Sequence, residues 1–213
     1  VLLGGATAPA AIDRLLIAED SFEQADDAVA ALLRGVLAAA GKQLPKPQPI
    51  RIAPEGFDAW REPLRIIQAY EKWQVYGRFI EEKPPRLGPG VAERMQIAAK
   101  VTKAQADAAR NIHAAAREHI RAQIPPGTVM ALPSAPCIAP KIESTADELE
   151  SFRVRVMRLT CVSGFGGLPQ VSIPVGTVNG CPVGLSFIGW AGGDEALLDL
   201  AVSLAKYCGV EAA

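Results

Sequence analysis

Two short apolar runs joined by Asn179-Gly180 constrain the fold of this chain more than any other stretch of its sequence. Apolar and small residues over 170–174 and 183–188 favour β-strands, and the prolines and glycines around them mark strand ends. Asn-Gly is the residue pair that a tight hairpin turn prefers, because both residues adopt positive φ at low cost. The sequence therefore predicts an antiparallel hairpin late in the chain.

The remainder of the chain alternates strand patterns with helix patterns. Strands are predicted over 14–18, 49–53 and 128–132, and helices over 25–40, 57–80, 91–124, 147–160 and 195–207. Strands separated by helices favour parallel pairing, whereas the late hairpin is antiparallel. We therefore predict the α/β class, with a mixed central β-sheet covered by helices.

Composition limits the possible partners and the compartment. The 213 residues carry a formal net charge of −1, which gives no electrostatic reason to expect a nucleic acid or an anionic membrane as partner. No apolar run reaches the roughly 18 residues of a membrane span. The cysteines have neither zinc-site nor thioredoxin-type spacing, so we expect reduced thiols and a cytoplasmic location: Cys137, Cys161, Cys181 and Cys208.

The chain starts at Val1, inside an apolar phrase that has no basic segment before it and contains Pro9. That pattern is not typical of a secretory signal. A start without Met, in the middle of an apolar phrase, indicates that this sequence begins inside a longer protein.

The segment Gly164-Phe165-Gly166-Gly167 raises the possibility of a phosphate-binding loop. A dinucleotide fingerprint needs glycine or alanine where this chain has Pro169, and it needs a strand before the glycines and a helix after them. The predicted order here is helix and then strand. We interpret the glycines as a tight turn from a helix into a strand.

The sequence shows no self-contained catalytic group. Ser163 lacks the glycines of a nucleophile elbow, and Ser172 lies in the middle of a predicted strand. His113 and His119 lie six residues apart on a predicted helix and therefore point ~240° apart, so we expect two solvated surface histidines. The carboxylates form no acid–base pair. We predict no catalytic residue, no metal ligand and no cofactor within this chain.

Several phrases together resemble the C-terminal region of amidase signature enzymes. That family carries Gly-Leu-Pro-x-x-x-x-Pro-x-Gly followed by Gly-x-Pro-Val-Gly-Leu. The matching residues here are Gly167, Leu168, Pro169, Pro174, Gly176, Gly180, Pro182, Val183, Gly184 and Leu185, and the phrases over 70–77, 87–102 and 132–140 match as well. These sequence motifs are most similar to those of the branch that contains plant indole-acetamide hydrolases. Many family members carry Asn in place of Gly164 and Gln in place of Ser186.

The resemblance implies a serine hydrolase that cleaves the C–N bond of a small or aromatic carboxamide by acyl transfer, without metal or cofactor. Its Ser-Ser-Lys triad would lie outside this chain, so residues 1–213 would be a single partial domain that needs the N-terminal half of the amidase domain. The isolated chain would then be inactive and would expose an open strand edge. A non-catalytic binding or assembly subunit is the alternative, followed by a nucleotide-binding α/β module.

The same resemblance implies that the loops over 133–140 and 163–168 face a substrate pocket. The predicted substrate-binding residues are Cys137, Gly164, Phe165 and Gly166. Cys137 and Phe165 are suited to a largely apolar pocket wall. Packing in the core is the alternative role for both side chains.

Overall fold

The structure, a computed structural model, describes residues 11–88 and 90–208. The apolar start of the chain, apart from Ala11 and Ile12, lies outside the described residues. The strands are β1 (Arg14–Ala18), β2 (Pro47–Ile50), β3 (Thr128–Pro133), β4 (Gln170–Val178) and β5 (Cys181–Ile188). The helices are α1 (Glu19–Phe22), α2 (Asp27–Ala39), α3 (Asp58–Glu82), α4 (Val91–Ala99), α5 (Lys103–Gln123), α6 (Ala146–Gly166) and α7 (Asp194–Tyr207).

The five strands form one mixed sheet in the order β2-β1-β3-β5-β4. β1 pairs in parallel with β2 and β3, because helical segments return the chain each time to the end of the sheet at which β1 begins. β5 runs antiparallel to both β3 and β4. The predicted fold class, α/β with a mixed sheet and helices, is confirmed.

The predicted hairpin joins β4 to β5. Asn179 has φ 51° and Gly180 has φ 76°, the pair of positive values that a two-residue hairpin turn requires. The first strand is longer than predicted. A register shift between Pro174 and Gly176 lets the chain bend at the proline and continue pairing as far as Val178.

Two helix boundaries and the bounds of β2 also differ from the sequence prediction. The predicted helix over 91–124 is two helices, because Thr102 forms a capping box with Gln105 and starts α5 anew. α6 runs on to Gly166, beyond the predicted end at 160, and Gly167 ends it in the left-handed conformation. β2 covers Pro47–Ile50 rather than 49–53, because its register is set by pairing with β1.

One buried cluster joins the sheet to the surrounding helices. β1 and β3 are almost wholly buried, as expected for the central parallel strands of a sheet with both faces covered. Leu185 and Phe187 of β5 lie close to side chains of α2 and α7 around a narrow apolar gap. β4, at the edge of the sheet, is more exposed than β3 and β5. The interior is therefore centred on β1, β3 and β5.

Candidate functional site

The loop that follows β3 is held against the turn between α1 and α2 by one arginine of α6. The Arg155 guanidinium donates to the Gln24 carbonyl at 2.8 Å, to Asp26 Oδ1 at 2.6 Å and to the Pro136 carbonyl at 3.3 Å. The Asp26 amide donates to the same Pro136 carbonyl at 2.7 Å. The loop that carries Cys137 is thus fixed beyond the carboxyl end of a parallel strand, where open α/β sheets bind their ligands.

A row of three serine hydroxyls crosses the end of the sheet beside this loop. Ser186 Oγ lies 2.7 Å from Ser134 Oγ and 2.7 Å from Ser172 Oγ. Ser186 is fully buried, whereas Ser172 is exposed. Among the described residues, no histidine or lysine contacts any of the three hydroxyls through a hydrogen bond. The row can therefore donate and accept hydrogen bonds, but it has no base to activate a nucleophile.

Sequence reasoning missed this row. From the sequence, Ser172 is a residue in the middle of a strand, and Ser186 is only a departure from the family pattern. Ser186 of β5 pairs with Ser172 of β4 on one side and with Leu132 of β3 on the other side. The hydroxyls come together only because β3, which is distant in sequence, pairs with the hairpin of β4 and β5.

Gly184 gives Ser134 the space to reach Ser186, and its replacement by alanine tests this contact. A Cβ on Gly184 would lie 2.8 Å from Ser134 Oγ and 3.1 Å from Ser134 Cβ. We expect Gly184→Ala to displace Ser134, break the serine row and lower the free energy of unfolding by about 1–3 kcal/mol. Urea denaturation measures this loss.

Gly164→Ala is the matched control for that substitution. No atom lies within 4 Å of a Cβ built on Gly164, which is helical. Alanine should therefore leave the free energy of unfolding unchanged or raise it by roughly 0.5–1 kcal/mol at most. Equal losses in the two variants would show that the crowding at Gly184 has no consequence.

Three of the predicted substrate-binding residues lie in the last turn of α6, where a loop was predicted; that loop assignment is wrong. Gly164 is exposed. Phe165 is fully buried, with its ring centroid 4.5 Å from that of His113. Gly166 is buried, and a Cβ there would come within 3.0 Å of Ile120 Cγ2. Close packing of α6 on α5 therefore favours glycine at this position, because a larger residue would force Ile120 or Leu168 to shift.

Cys137 and Gly164 do not form one cluster in the described chain. Cys137 lies near Asp26 and Arg155, which both influence its thiol. Gly164 is nine residues beyond Arg155 on α6, which is about 14 Å along the helix axis. Substrate contact by Cys137, Gly164, Phe165 and Gly166 therefore remains a prediction.

The carbonyls at the end of α6 are occupied by donors from α5. His113 Nε2 donates to the Phe165 carbonyl at 3.1 Å, Arg121 Nε donates to the Gly166 carbonyl at 2.7 Å, and Arg121 Nη2 donates to the Gly167 carbonyl at 3.2 Å. These are the groups that a helix C-terminus leaves unpaired. Its partial negative charge disfavours phosphate, so the glycines give no support to a nucleotide site.

The prediction of two solvated surface histidines is wrong. His113 and His119 are both half-buried, and His119 Nε2 donates to the Ile52 carbonyl at 3.0 Å. Because a carbonyl oxygen can only accept, Nε2 carries the proton in both rings. Each ring therefore joins α5 to a distant segment and is not positioned as a general base for one of the serines.

Two thiols are unsuited to nucleophilic attack. Burial raises the pKa of Cys161 to about 12, and its Sγ lies 3.2 Å from the Arg158 carbonyl. Burial and then the neighbouring Asp26 carboxylate raise the pKa of Cys137. A reactive cysteine needs a lowered pKa, so both thiols remain protonated at neutral pH.

A polar cleft of about 300 Å³ lies beyond the carboxyl ends of β1 and β2. Two arginine–carboxylate pairs line it: Arg51 contacts Glu23 at 2.6 and 2.9 Å, and Arg158 contacts Asp58 at 3.0 and 2.6 Å. The buried Asp20 carboxylate lines it as well. The two pairs neutralise their own charges, and the carboxylates of Asp20 and Glu55 leave an excess of acidic groups in the lining of the cleft.

Hydrogen bonds from Arg158 and then Arg61 lower the pKa of Asp58 to about 2. A lowered pKa in the folded state adds stability above the carboxyl's ordinary pKa of 3.8, and this stability disappears as the pH falls from about 4 to about 2. Because half of the Asp58 side chain is exposed, we expect no more than about 1 kcal/mol from the pair. In Arg158→Met, NMR titration should show the Asp58 pKa rising toward its ordinary value.

The control for this titration is Arg51→Met, which removes the other pair of the cleft and leaves the contacts of Asp58 intact. An Asp58 pKa that shifts equally in both variants would contradict the assignment to Arg158.

Among the described residues, no three His, Cys, Asp or Glu side chains are grouped so that they could hold a metal ion. No helix in this described part of the chain is long and apolar enough to cross a membrane.

Comparisons with known proteins agree with this geometry. The family model described as Amidase matches residues 17–198. Amidase 1 of Arabidopsis thaliana is 31% identical over 144 residues, which are 68% of this chain and 34% of that protein. Amidase 1 of Oryza sativa is 32% identical over 142 residues, which are 66% of this chain and 33% of that protein.

A crystal structure of an amidase matches the fold with a TM-score of 0.82 at 22% identity, covering 95% of this chain and 47% of the solved one. The chain thus spans about a third of the curated relatives' length and under half of the solved amidase. The family match covers most of the described residues, and the fold agrees with it. This chain belongs to the amidase signature family.

Proposed function

We propose that this chain is part of an amidase that hydrolyses the C–N bond of a small or aromatic carboxamide by acyl transfer through a serine. The Ser-Ser-Lys triad would lie in a part of the parent protein that precedes this chain. Residues 1–213 would be a single partial domain that completes the sheet and forms one wall of the substrate pocket. No metal or cofactor takes part in the proposed reaction.

One observation carries the proposal. The family model matches 17–198, and almost the whole chain superposes on a solved amidase that is about twice as long. Nearly all of this chain is covered by the match, but less than half of the solved amidase is. This difference is best explained if the chain is a portion of such a domain. This coverage supports an amidase whose remaining residues are encoded elsewhere in the parent.

The side chains of this portion support a location of the triad outside it. The serine row is bonded within itself, and the histidines of α5 donate to backbone carbonyls. A general-base lysine needs a lowered pKa, whereas Asp107 raises the pKa of the exposed Lys103. None of these groups resembles an activated nucleophile with its base.

The test is amide hydrolysis by the parent protein and by this chain alone. Ammonia or amine release is measured across a panel of linear aliphatic, cyclic and aromatic amides. We expect turnover of a small or aromatic amide by the parent, none by the isolated chain, and none by a parent in which the nucleophilic serine is replaced by alanine. A folded parent that cleaves no amide in the panel, or turnover by the isolated chain, would overturn the proposal.

We further propose that Cys137, Gly164, Phe165 and Gly166 lie along the substrate wall of the parent. The exposed face of Gly164 has open space beside it, which supports this placement. We expect Gly164→Leu to raise KM by about tenfold, with kcat little changed, because the side chain narrows the pocket. Gly35→Leu is the control, since Gly35 also lies on a helix with open space around it. Equal KM values for the two variants would contradict the placement.

A non-catalytic role is the second candidate. Outer envelope protein 64, chloroplastic, of Arabidopsis thaliana is 26% identical over 136 residues, which are 64% of this chain and 23% of that protein. Its name describes an envelope protein, so an amidase-like sequence is not by itself evidence of hydrolysis. The coding sequence upstream of Val1 distinguishes the two candidates: a Gly- and Ser-rich segment with the triad favours the amidase, and its absence favours a binding subunit.

A further inference from the structure

Arg155 of α6 joins two connections that leave neighbouring parallel strands. Its guanidinium donates twice to the Gln24 carbonyl, at 3.2 and 2.8 Å, and once to Asp26 Oδ1, at 2.6 Å. Both acceptors lie in the connection from β1 to α2. The Pro136 carbonyl, in the loop after β3, accepts from Arg155 at 3.3 Å and from the Asp26 amide at 2.7 Å. We call these four residues the Arg155 clamp.

The Arg155 clamp lies where two neighbouring strands send the chain to opposite faces of the sheet. β1 reaches β2 through α2, and β2 reaches β3 through α3, α4 and α5, so the two crossovers run in opposite directions along the order β2-β1-β3. Because parallel crossovers are right-handed, their helices cover opposite faces. α6 packs on α3 and α5 and therefore shares their face. Open α/β sheets bind ligands at such a switch point, outside the carboxyl ends of the strands.

The loop after β3 depends on the Arg155 clamp for its position. Among the described residues, the backbone of 135–140 forms hydrogen bonds only through the Pro136 carbonyl. Arg155 supplies one of these bonds and holds the Asp26 carboxylate of the residue that supplies the other. Cys137, the next residue, is half-buried, and Ile138 packs against the buried cluster. Loss of the arginine should therefore loosen both bonds to Pro136 and release the backbone of Cys137.

We propose that Arg155 is a positioning residue for substrate recognition, because the Arg155 clamp holds the loop of Cys137 in place as the wall for an aromatic group of the amide substrate. This proposal rests on the proposed function. Residues 134–140 carry no charged side chain, so the loop suits an apolar ring. Arg155 itself acts through Pro136 and does not contact the substrate.

The rate at which iodoacetamide alkylates Cys137 tests the clamp in this chain. The charge of Arg155 lowers the pKa of Cys137, against the larger opposite effects of burial and Asp26. Removal of the charge alone would therefore leave less thiolate and slow the reaction. Release of the loop exposes the thiol and accelerates it. We expect Arg155→Met to raise the alkylation rate by about fivefold or more, and an unchanged or lower rate would overturn the proposal.

Two controls separate release of the loop from general loosening of the chain. Cys161 lies on α6 and is fully buried, so its alkylation should stay slow in Arg155→Met. Equal acceleration at Cys137 and Cys161, measured by mass spectrometry of the peptides, would overturn a local role of Arg155. Arg153→Met removes an arginine that contacts Glu150 of the same helix, and it should leave the Cys137 rate unchanged.

Steady-state kinetics of the parent test the role in recognition. We expect Arg155→Met to raise KM for an aromatic amide by about tenfold, with kcat within about twofold, because a misplaced wall weakens binding and leaves the chemical step intact. KM for a small aliphatic amide, which does not reach the wall, should change by less than about twofold. Equal changes in KM for the two amides would overturn the proposal. A folded parent that cleaves neither amide would refute the proposed function and this proposal with it, whereas faster alkylation of Cys137 would still establish the clamp.

Discussion

Replacing Phe165 by alanine is expected to lower the free energy of unfolding of this chain by about 3–5 kcal/mol. Phe165 is 0% exposed and packs against His113, whose ring centroid is 4.5 Å away. The substitution removes the ring from the contact of α6 with α5 and leaves a cavity that the surrounding side chains cannot fill without moving. Urea denaturation followed by circular dichroism measures the loss.

Phe152→Ala is the matched control, because Phe152 lies on the same helix but is only half-buried. We expect it to cost about 1 kcal/mol. A loss at Phe165 no larger than that at Phe152 would show that Phe165 is not a core residue of this chain. In the parent, a change in KM without loss of stability would instead identify Phe165 as part of the substrate wall.

Replacing Asp20 by alanine is expected to cost about 2–5 kcal/mol, because it leaves two buried amides without an acceptor. The carboxylate is 3% exposed; its Oδ1 accepts from the Ser21 amide at 3.1 Å and its Oδ2 from the Ala53 amide at 2.8 Å. The second bond ties the end of β1 to the segment after β2. Thermal or urea denaturation of Asp20→Ala measures the effect.

The neighbouring serine provides a control of opposite sign. Ser21 is 0% exposed, and its Oγ is the one buried side-chain oxygen or nitrogen within the described residues that has no hydrogen-bond partner. Ser21→Ala removes a desolvated hydroxyl and should leave stability unchanged or raise it by about 1 kcal/mol. A loss at Ser21 comparable to that at Asp20 would show that the site responds to lost volume and not to lost hydrogen bonds.

Local patterns were sufficient where neighbouring residues decide the conformation. β1 has the predicted bounds, Arg14–Ala18, because a short apolar run followed by two acids ends a buried strand. The Asn179-Gly180 turn was predicted correctly because its backbone angles are a property of the two residues themselves. The family was recognised from motifs, and the match over 17–198 confirms it.

Local patterns failed where a distant segment decides. The last turn of α6 forms although its sequence is rich in glycine, because His113 and Arg121 of α5 bond to its carbonyls and the Phe165 ring is buried. Glycine lowers helix propensity by about 1 kcal/mol per residue, which tertiary contacts of this kind exceed. The break at Thr102 carried a recognisable local signal, the capping box with Gln105, that the apolar periodicity on both sides obscured.

The fold class, the hairpin and the family can be predicted from local sequence, because strand alternation, turn residues and short motifs involve neighbouring residues. Contacts between distant side chains depend on the folded structure. Ser134, Ser172 and Ser186 become one row through strand register. Arg155 joins the loop of Cys137 to Gln24 and Asp26, which lie more than a hundred residues earlier in the sequence. The order of the five strands likewise depends on pairing between segments that are distant in the sequence.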